Sequence, residues 1–165
     1  MNLTPGTLSN LLIAALIGST ASLAAAGEDT HKHAHASARE QKAWGIAGDT
    51  QAASRTILLS MDDRMRFSPD KLSVKLGETV RFVIKNNGKQ RHEMVIGTHQ
   101  ELEAHAAMML KSPDMAHDEP HMAHVKAGQT GSLLWTFNRA GEFEFACTIA
   151  GHYQAGMKGS ISVKN

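Results

Sequence analysis

The stretch that decides the fold reads Cys147-Thr-Ile-Ala-Gly-His152-Tyr-Gln-Ala-Gly-Met157. It contains the only cysteine of the chain, a histidine five positions later and a methionine five positions after that. Thiolate and thioether sulfurs are soft donors that suit Cu(I), and imidazole suits both oxidation states of copper. A glycine precedes the histidine and another precedes the methionine, where a tight loop needs permissive backbone angles. The spacing therefore predicts a copper centre of the electron-transfer type with three of its ligands in this loop.

A second histidine is needed, because such a centre takes two histidines and one cysteine in a plane, with a long and weak axial methionine. His92 is the predicted fourth ligand. It follows the turn sequence Asn-Asn-Gly at residues 86–88 and precedes an apolar run that is typical of a strand. The strand before the turn, residues 79–85, alternates apolar and polar side chains. His92 therefore enters a sheet at the end of a connection, where functional residues are common.

Other uses of a lone cysteine fit the loop less well. Structural zinc prefers several cysteines and histidines and rarely uses methionine. A cysteine nucleophile needs a neighbouring base and has no need of a methionine. An unreactive cysteine is most often a small buried apolar residue, which leaves the spacing of His152 and Met157 unexplained. Copper is the metal that the full set of residues favours.

The loop resembles the carboxyl-terminal copper loop of the cupredoxins, the type 1 blue or green copper proteins of the plastocyanin, auracyanin and rusticyanin type. The shared pattern is Cys-x4-His-x4-Met, with a glycine before the histidine and another before the methionine. The segment at residues 87–92 is similar to the upstream ligand segment of the same family. The resemblance covers residues 55–164 and implies an all-β fold, a Greek-key β-sandwich that holds one type 1 copper.

The resemblance also implies a role for each ligand. By it, His92, Cys147 and His152 are the equatorial ligands and Met157 is the axial one. Many cupredoxins carry asparagine directly after the first histidine, where its hydrogen bond joins the two ligand loops. This chain has Glu93 at that position, so the resemblance does not extend to that hydrogen bond.

The amino terminus has the pattern of a secretory signal. Residues 11–17 form an apolar run, which is followed by small residues ending in Ala24-Ala25-Ala26. We therefore predict a signal peptide at residues 1–26, cleavage near Ala26, and a periplasmic protein with no membrane span after cleavage. An uncleaved anchor is the alternative, although the apolar run is short for a membrane span. A single cysteine in an oxidising compartment needs a purpose, and metal ligation supplies one.

The rest of the chain divides into two predicted parts. Residues 27–54 are rich in alanine, histidine, glycine and charged side chains, and are predicted to form a flexible arm. Residues 55–165 are predicted to form one cupredoxin domain, because short strand-like segments alternate with glycine and proline turns. An insertion at residues 98–124 begins with a capping-box sequence. It continues with a helical pattern over residues 100–110 and with an irregular loop from residue 112.

Further histidines and methionines are candidate accessory copper ligands. Histidines two residues apart in the arm can chelate Cu(II), Ni(II) or Zn(II), and the thioethers and imidazoles of the insertion suit Cu(I). The candidates are His31, His33 and His35 in the arm, and Met108, Met115, His117, His121, Met122 and His124 in the insertion. The alternatives are a solvated histidine tail and methionines that fill gaps in the core.

The charge of the chain and its resemblance to the cupredoxins together limit the range of possible functions. The chain has 17 basic and 16 acidic residues and lacks the basic patch with interleaved aromatics that nucleic-acid binding needs. An exported cupredoxin with a histidine-rich arm and a Met/His-rich insertion is similar to the periplasmic copper-tolerance cupredoxins, which implies that it binds copper or oxidises Cu(I).

The alternative function is that of a soluble electron carrier between respiratory or photosynthetic complexes, with a redox partner that docks near His152. An enzyme such as a nitrite reductase or a multicopper oxidase is disfavoured, because these enzymes need further copper sites in larger chains. We expect a monomer.

Overall fold

A computed structural model describes residues 39–115 and 117–165 of the chain. The predicted signal peptide and the predicted ligands His31, His33 and His35 lie outside the described residues. Within the described part, the chain forms ten β-strands, one α-helix and one short 3-10 helix.

The strands form two five-stranded sheets. In chain order the elements are β1 (Ile46–Ala47), a 3-10 helix (Thr50–Ala52), β2 (Arg55–Asp62), β3 (Arg66–Ser68), β4 (Lys71–Lys75), β5 (Thr79–Asn86), β6 (His92–Gly97), α1 (His99–Lys111), β7 (Met122–Val125), β8 (Thr130–Thr136), β9 (Gly141–Ala146) and β10 (Lys158–Lys164). The strand orders are β1-β8-β5-β2-β3 and β4-β10-β9-β6-β7. The pairs β2–β5 and β4–β10 are parallel. The predicted all-β sandwich with a helix inserted between strands is confirmed.

The main apolar core lies between the two sheets. Side chains alternate along β5, so that Phe82 and its inward neighbours are fully buried. The rings of Phe67 and Phe145, one from each sheet, lie 4.9 Å apart. The end of β9 pairs with both β6 and the start of β10. The beginning of β6 and the loop between β9 and β10 therefore meet at one end of the sandwich, where the predicted ligands lie.

Helix α1 follows the local signals in the sequence. The Thr98 hydroxyl accepts a hydrogen bond from the Glu101 amide, and the Glu101 carboxylate accepts one from the Thr98 amide, which completes the predicted capping box. Leu102, Ala106 and Met109 are buried on one face of the helix, as the spacing predicts. In the described ranges 39–115 and 117–165, no helix is both long enough and apolar enough to cross a bilayer.

One prediction for the insertion is wrong. The irregular loop was expected to continue to His124, but residues 122–125 form β7, which pairs antiparallel with β6. Met122 and Val125 are both buried, although an odd number of steps separates them along the strand. Because the strand is short and carries apolar side chains on both faces, it lacks the alternation that would have identified it. Met122 contributes to an apolar cluster that also includes Leu102.

The flexible-arm prediction is also wrong for residues 44–47. Trp44 is 3% exposed and stacks on Trp135 with ring centroids 6.4 Å apart. The Trp135 indole nitrogen donates a hydrogen bond of 3.0 Å to the Trp44 carbonyl, and the two residues of β1 pair with β8. The burial of one large aromatic side chain stabilises the packing of this polar segment against the sandwich.

Candidate metal centre

Three of the predicted ligands converge at the end of the sandwich. His92 is the first residue of β6, Cys147 follows β9 directly, and His152 lies in the loop that leads to β10. The Nδ1 atoms of His92 and His152 are 3.3 Å apart, and Nδ1 of His152 is 3.2 Å from Sγ of Cys147. The three ligand atoms all lie within 4.8 Å of one another. Two imidazole nitrogens and one sulfur therefore face a common point.

The loop closes on itself through its backbone. The Cys147 amide donates a hydrogen bond of 3.0 Å to the Met157 carbonyl, and the Met157 amide donates one of 3.1 Å to the His152 carbonyl. Gly151 and Gly156 have φ angles of 88° and 89°, a region that side chains other than glycine rarely adopt. This closure places Met157 beside Cys147 in the chain fold, and the Met157 side chain is fully buried in the main core.

An aspartate that the sequence reasoning missed supports His92. The Nε2 atom of His92 lies 3.0 Å from Oδ1 of Asp63, and Oδ2 of Asp63 accepts a hydrogen bond of 2.7 Å from the Lys89 amide. These two partners, the amide first, lower the pKa of the Asp63 carboxyl. A Cβ atom at Gly88 would lie 2.1 Å from Oδ1 of Asp63, so the turn needs glycine there. A carboxylate on the second ring nitrogen fixes the orientation of a histidine whose first nitrogen binds a metal.

Glu93 supplies the hydrogen bond between the ligand loops that many cupredoxins make with asparagine. Its Oε1 atom accepts hydrogen bonds from the Thr148 amide, at 3.0 Å, and from the Thr148 hydroxyl. Its Oε2 atom lies 2.9 Å from Nδ1 of His124. Glu93 follows one ligand and Thr148 follows another, so this carboxylate connects the two chain segments that carry His92 and Cys147.

Burial shifts the pKa values of two of the predicted ligands in the metal-free site. It raises the pKa of the Cys147 thiol to about 12, and the nearby Glu93 charge adds to the effect. Burial, followed by the His92 charge, lowers the pKa of His152. The metal-free site therefore holds a Cys147 thiol and a neutral His152 imidazole, and a metal must displace the thiol proton. A buried sulfur and two imidazoles are a donor set that fits copper.

Residues 55–164 match the model of the plastocyanin/azurin family of copper-binding proteins. The chain is a cupredoxin of this family. Copper is the metal that its site fits.

Two relatives and one solved structure are similar to the chain. It is 47% identical to the copper-resistant cuproprotein CopI of Rubrivivax gelatinosus, over 93% of this chain and 94% of the relative. It is 38% identical to the copper-resistant cuproprotein CopI of Pseudomonas aeruginosa, over 79% of this chain and 88% of the relative. The structure of auracyanin B superposes with a TM-score of 0.61 at 22% identity, over 76% of this chain and all of that one. This last likeness shows the shared fold.

The cupredoxin has a second group of side chains, beside the helix, of the chemical types that can bind metals. A cavity of about 300 Å³ is lined by Arg91, Glu93, Met109, Met115, His117, His124 and Lys126. His105, which was not among the predicted ligands, places its Nε2 atom 3.0 Å from Nε2 of His117. Among the histidine, cysteine and acidic side chains of the described part of the chain, only the group around Cys147 brings three donor atoms within 4.8 Å of one another. His117, on the cavity wall, therefore forms a close pair with the neighbouring His105 rather than part of a formed triad.

The predicted accessory ligands separate in the structure. Met115, His117 and His124 line the cavity. Met108 is exposed on α1 and is not among the lining residues, and Met122 is buried in the apolar cluster under the helix. His121 packs against Trp44, with ring centroids 5.5 Å apart. The contact between His105 and His117 could not be predicted from the sequence. His105 lies on helix α1, twelve residues before His117, and only the fold of the intervening loop brings the two rings together.

Proposed function

We propose that this cupredoxin is an exported protein that contributes to copper tolerance by binding copper, by oxidising Cu(I), or by both. The observation that carries the proposal is the similarity, over nearly the whole chain, to a protein named as a copper-resistant cuproprotein. The buried sulfur and imidazole donors of the metal centre agree with it. Export to the periplasm, with signal cleavage near Ala26, and a monomeric state belong to the proposal.

The proposed ligands of the type 1 copper are His92, Cys147, His152 and Met157. Bound copper supplies a reversible one-electron change. The chain supplies a preformed set of donors: Asp63 and Glu93 hold the two ligand segments by hydrogen bonds. Full burial of Cys147 and Met157 keeps water away from the sulfurs.

The accessory ligands favour copper handling over simple electron transport. We propose that the cavity binds Cu(I) through His117, His124 and Met115 together with His105, since imidazoles and thioethers suit this ion. His31, His33 and His35 are proposed to bind Cu(II) in the amino-terminal arm. An electron carrier needs neither group of residues.

A soluble electron carrier is the second candidate function, and one observation favours it. His152 is 9% exposed, whereas His92 and Cys147 are completely buried. A partner protein that docks over this histidine would approach the copper through a single side chain. The carrier role predicts that growth depends on the protein when copper is scarce, whereas the tolerance role predicts dependence when copper is abundant.

The first experiment tests the metal centre. The purified protein should bind one tightly held copper ion and show an intense visible thiolate-to-Cu(II) band, and Cys147→Ala should lose that band. Metal analysis and an absorption spectrum of both proteins measure this. A visible band that persists in the Cys147→Ala protein would refute the proposed ligands.

The second experiment tests the role in the cell. Deletion of the gene should sensitise the cells to added copper and leave respiratory or photosynthetic growth intact at low copper. Complementation with Cys147→Ala then separates two forms of tolerance. Rescue by this variant indicates sequestration by the accessory ligands, and failure indicates that the type 1 centre is needed. Normal copper resistance in the deletion strain, with no redundant homologue, would remove the tolerance proposal in favour of the carrier.

A further inference from the structure

Glu93 is a charged side chain in an unusual position. It is 1% exposed and directly follows His92, yet it is not one of the three converging donors. One oxygen accepts hydrogen bonds from Thr148, next to Cys147, and the other contacts the His124 ring. A buried carboxylate is costly unless its oxygens are paired. Both oxygens of Glu93 are paired, each to a different part of the molecule.

His124 lies at the other end of this connection, on the wall of the cavity. It stands directly opposite Glu93 in the pairing of β6 with β7. Its Nδ1 atom contacts Glu93 at 2.9 Å, and its Nε2 atom lies 2.9 Å from the His117 carbonyl. About a third of the His124 side chain is exposed. A continuous series of contacts therefore runs from the cavity wall, through His124 and Glu93, to the residue after Cys147.

We propose that His124 is a positioning residue for the copper centre and that it acts through Glu93. Loss of the His124 ring removes the partner of one Glu93 oxygen, and a buried carboxylate then has to find another. Because the second oxygen holds Thr148, any readjustment of Glu93 changes the position of the neighbouring Cys147 sulfur or the charge near it. This inference rests on the proposed ligands.

The test compares the reduction potential and the visible spectrum of copper-loaded variants. They are His124→Ala, Glu93→Gln, the double variant, and His124→Gln, whose side-chain amide can still donate to the Glu93 oxygen. His99→Ala is the matched control, because it removes another histidine that pairs with a glutamate, at 3.2 Å from Glu144, on the outside of the molecule. A wild-type protein without the visible band would refute the proposed ligands themselves, whereas the comparison among variants addresses only His124.

We expect His124→Ala to shift the potential and the visible band, His99→Ala to leave both unchanged, and His124→Gln to restore values close to wild type. In the Glu93→Gln background, His124→Ala should cause no further shift, because the two residues act in series. Unchanged properties in His124→Ala would overturn the inference, and so would an equal shift in the presence and absence of Glu93. If Glu93→Gln fails to fold, the three histidine variants test the inference without it. A shift that is present in His124→Ala and absent in His124→Gln supports the inference. The same shift in both variants overturns it.

Discussion

Two carboxylates support the proposed copper ligands from outside the donor set. Asp63 contacts the outer nitrogen of His92, and Glu93 holds the residue that follows Cys147. A hydrogen-bonded carboxylate orients its histidine and raises the basicity of that ligand. A negative charge at this distance also favours the more highly charged Cu(II) over Cu(I). The reduction potential of the centre should therefore depend on residues that never touch the metal.

Asp63→Asn should raise the reduction potential of the copper, because the substitution keeps the shape of the side chain and removes its negative charge. Asp62→Asn is the matched control: it removes the same charge from the adjacent residue, whose carboxylate pairs with Arg64 at 2.6 Å. Voltammetry on both variants measures the difference. Equal shifts in the two variants would show that only the overall charge matters and that the contact with His92 does not.

Met157→Leu should keep the copper and also raise the reduction potential. The axial thioether is a weak donor that modestly favours Cu(II), and leucine removes this donation. The side chains are similar in volume, so the fully buried site should lose less than about 1.5 kcal/mol of stability. Copper content and voltammetry provide the measurement. A lower potential or complete loss of copper would contradict the axial role.

At the scale of elements, helix α1 and strand β7 build a second apolar cluster against the sheet that carries the ligands. Val95 of β6 belongs to this cluster, whereas its neighbours Met94 and Ile96 face the main core. Tyr153 of the copper loop also belongs to it. The inserted helix therefore packs on the outer face of β6 and β9 and contacts the residue after His152 in the chain. Loss of this packing should therefore lower the free energy of unfolding of the whole domain.

Leu102→Ala should destabilise the protein by about 2–5 kcal/mol, because Leu102 is 2% exposed and its truncation leaves a cavity. Leu110→Ala is the control on the same helix. Leu110 is 51% exposed, and its substitution should change stability by no more than about 0.5 kcal/mol. Urea unfolding of the metal-free proteins gives both values. Equal losses would mean that α1 does not pack through its predicted face.

For the molecule as a whole, the packing of Trp44 shows that the folded domain includes residues before Arg55. A chain that starts near residue 54 would lose Trp44 and β1, both of which contact β8. A chain that starts at Arg39 keeps these contacts and omits only the segment with His31, His33 and His35. Comparison of this shorter chain with the chain from Gly27 therefore isolates the three histidines.

The chain from Gly27 should bind more Cu(II) than the chain from Arg39, and the additional ions should bind more weakly than the type 1 copper. The composition of the histidine-rich arm predicts a flexible segment, and the ordering of such a segment on binding lowers the affinity of its ligands. Copper titration gives the stoichiometry, and the visible band should be identical in the two chains. Replacement of the three histidines by alanine in the longer chain is the control. Equal stoichiometry in all proteins would assign the arm no role in copper binding.

The sequence by itself determined those features that depend on residues a few positions apart. The spacing within residues 147–157 indicates a copper loop, and its glycines adopt the positive φ angles that a tight loop requires. The capping box at Thr98 and the apolar face of α1 follow from local rules in the same way. These features are predictable because chain connectivity alone brings their residues together.

Only the tertiary structure decided which distant residues support the centre. Asp63 is 29 positions from His92, Glu93 is 55 positions from Thr148, and Trp44 is 91 positions from Trp135. Their contacts depend on strand order and register. Asp63, Thr148 and Trp44 each lie within two residues of a strand end, so a shift of one residue in the strand pairing would move them away from their partners. The contact between His105 and His117 was not predicted from the sequence for the same reason, because the path of the chain after α1 determines the distance between them. Local spacing in the sequence thus identifies the predicted ligands, whereas the packing of the two sheets and the helix determines which residues surround them.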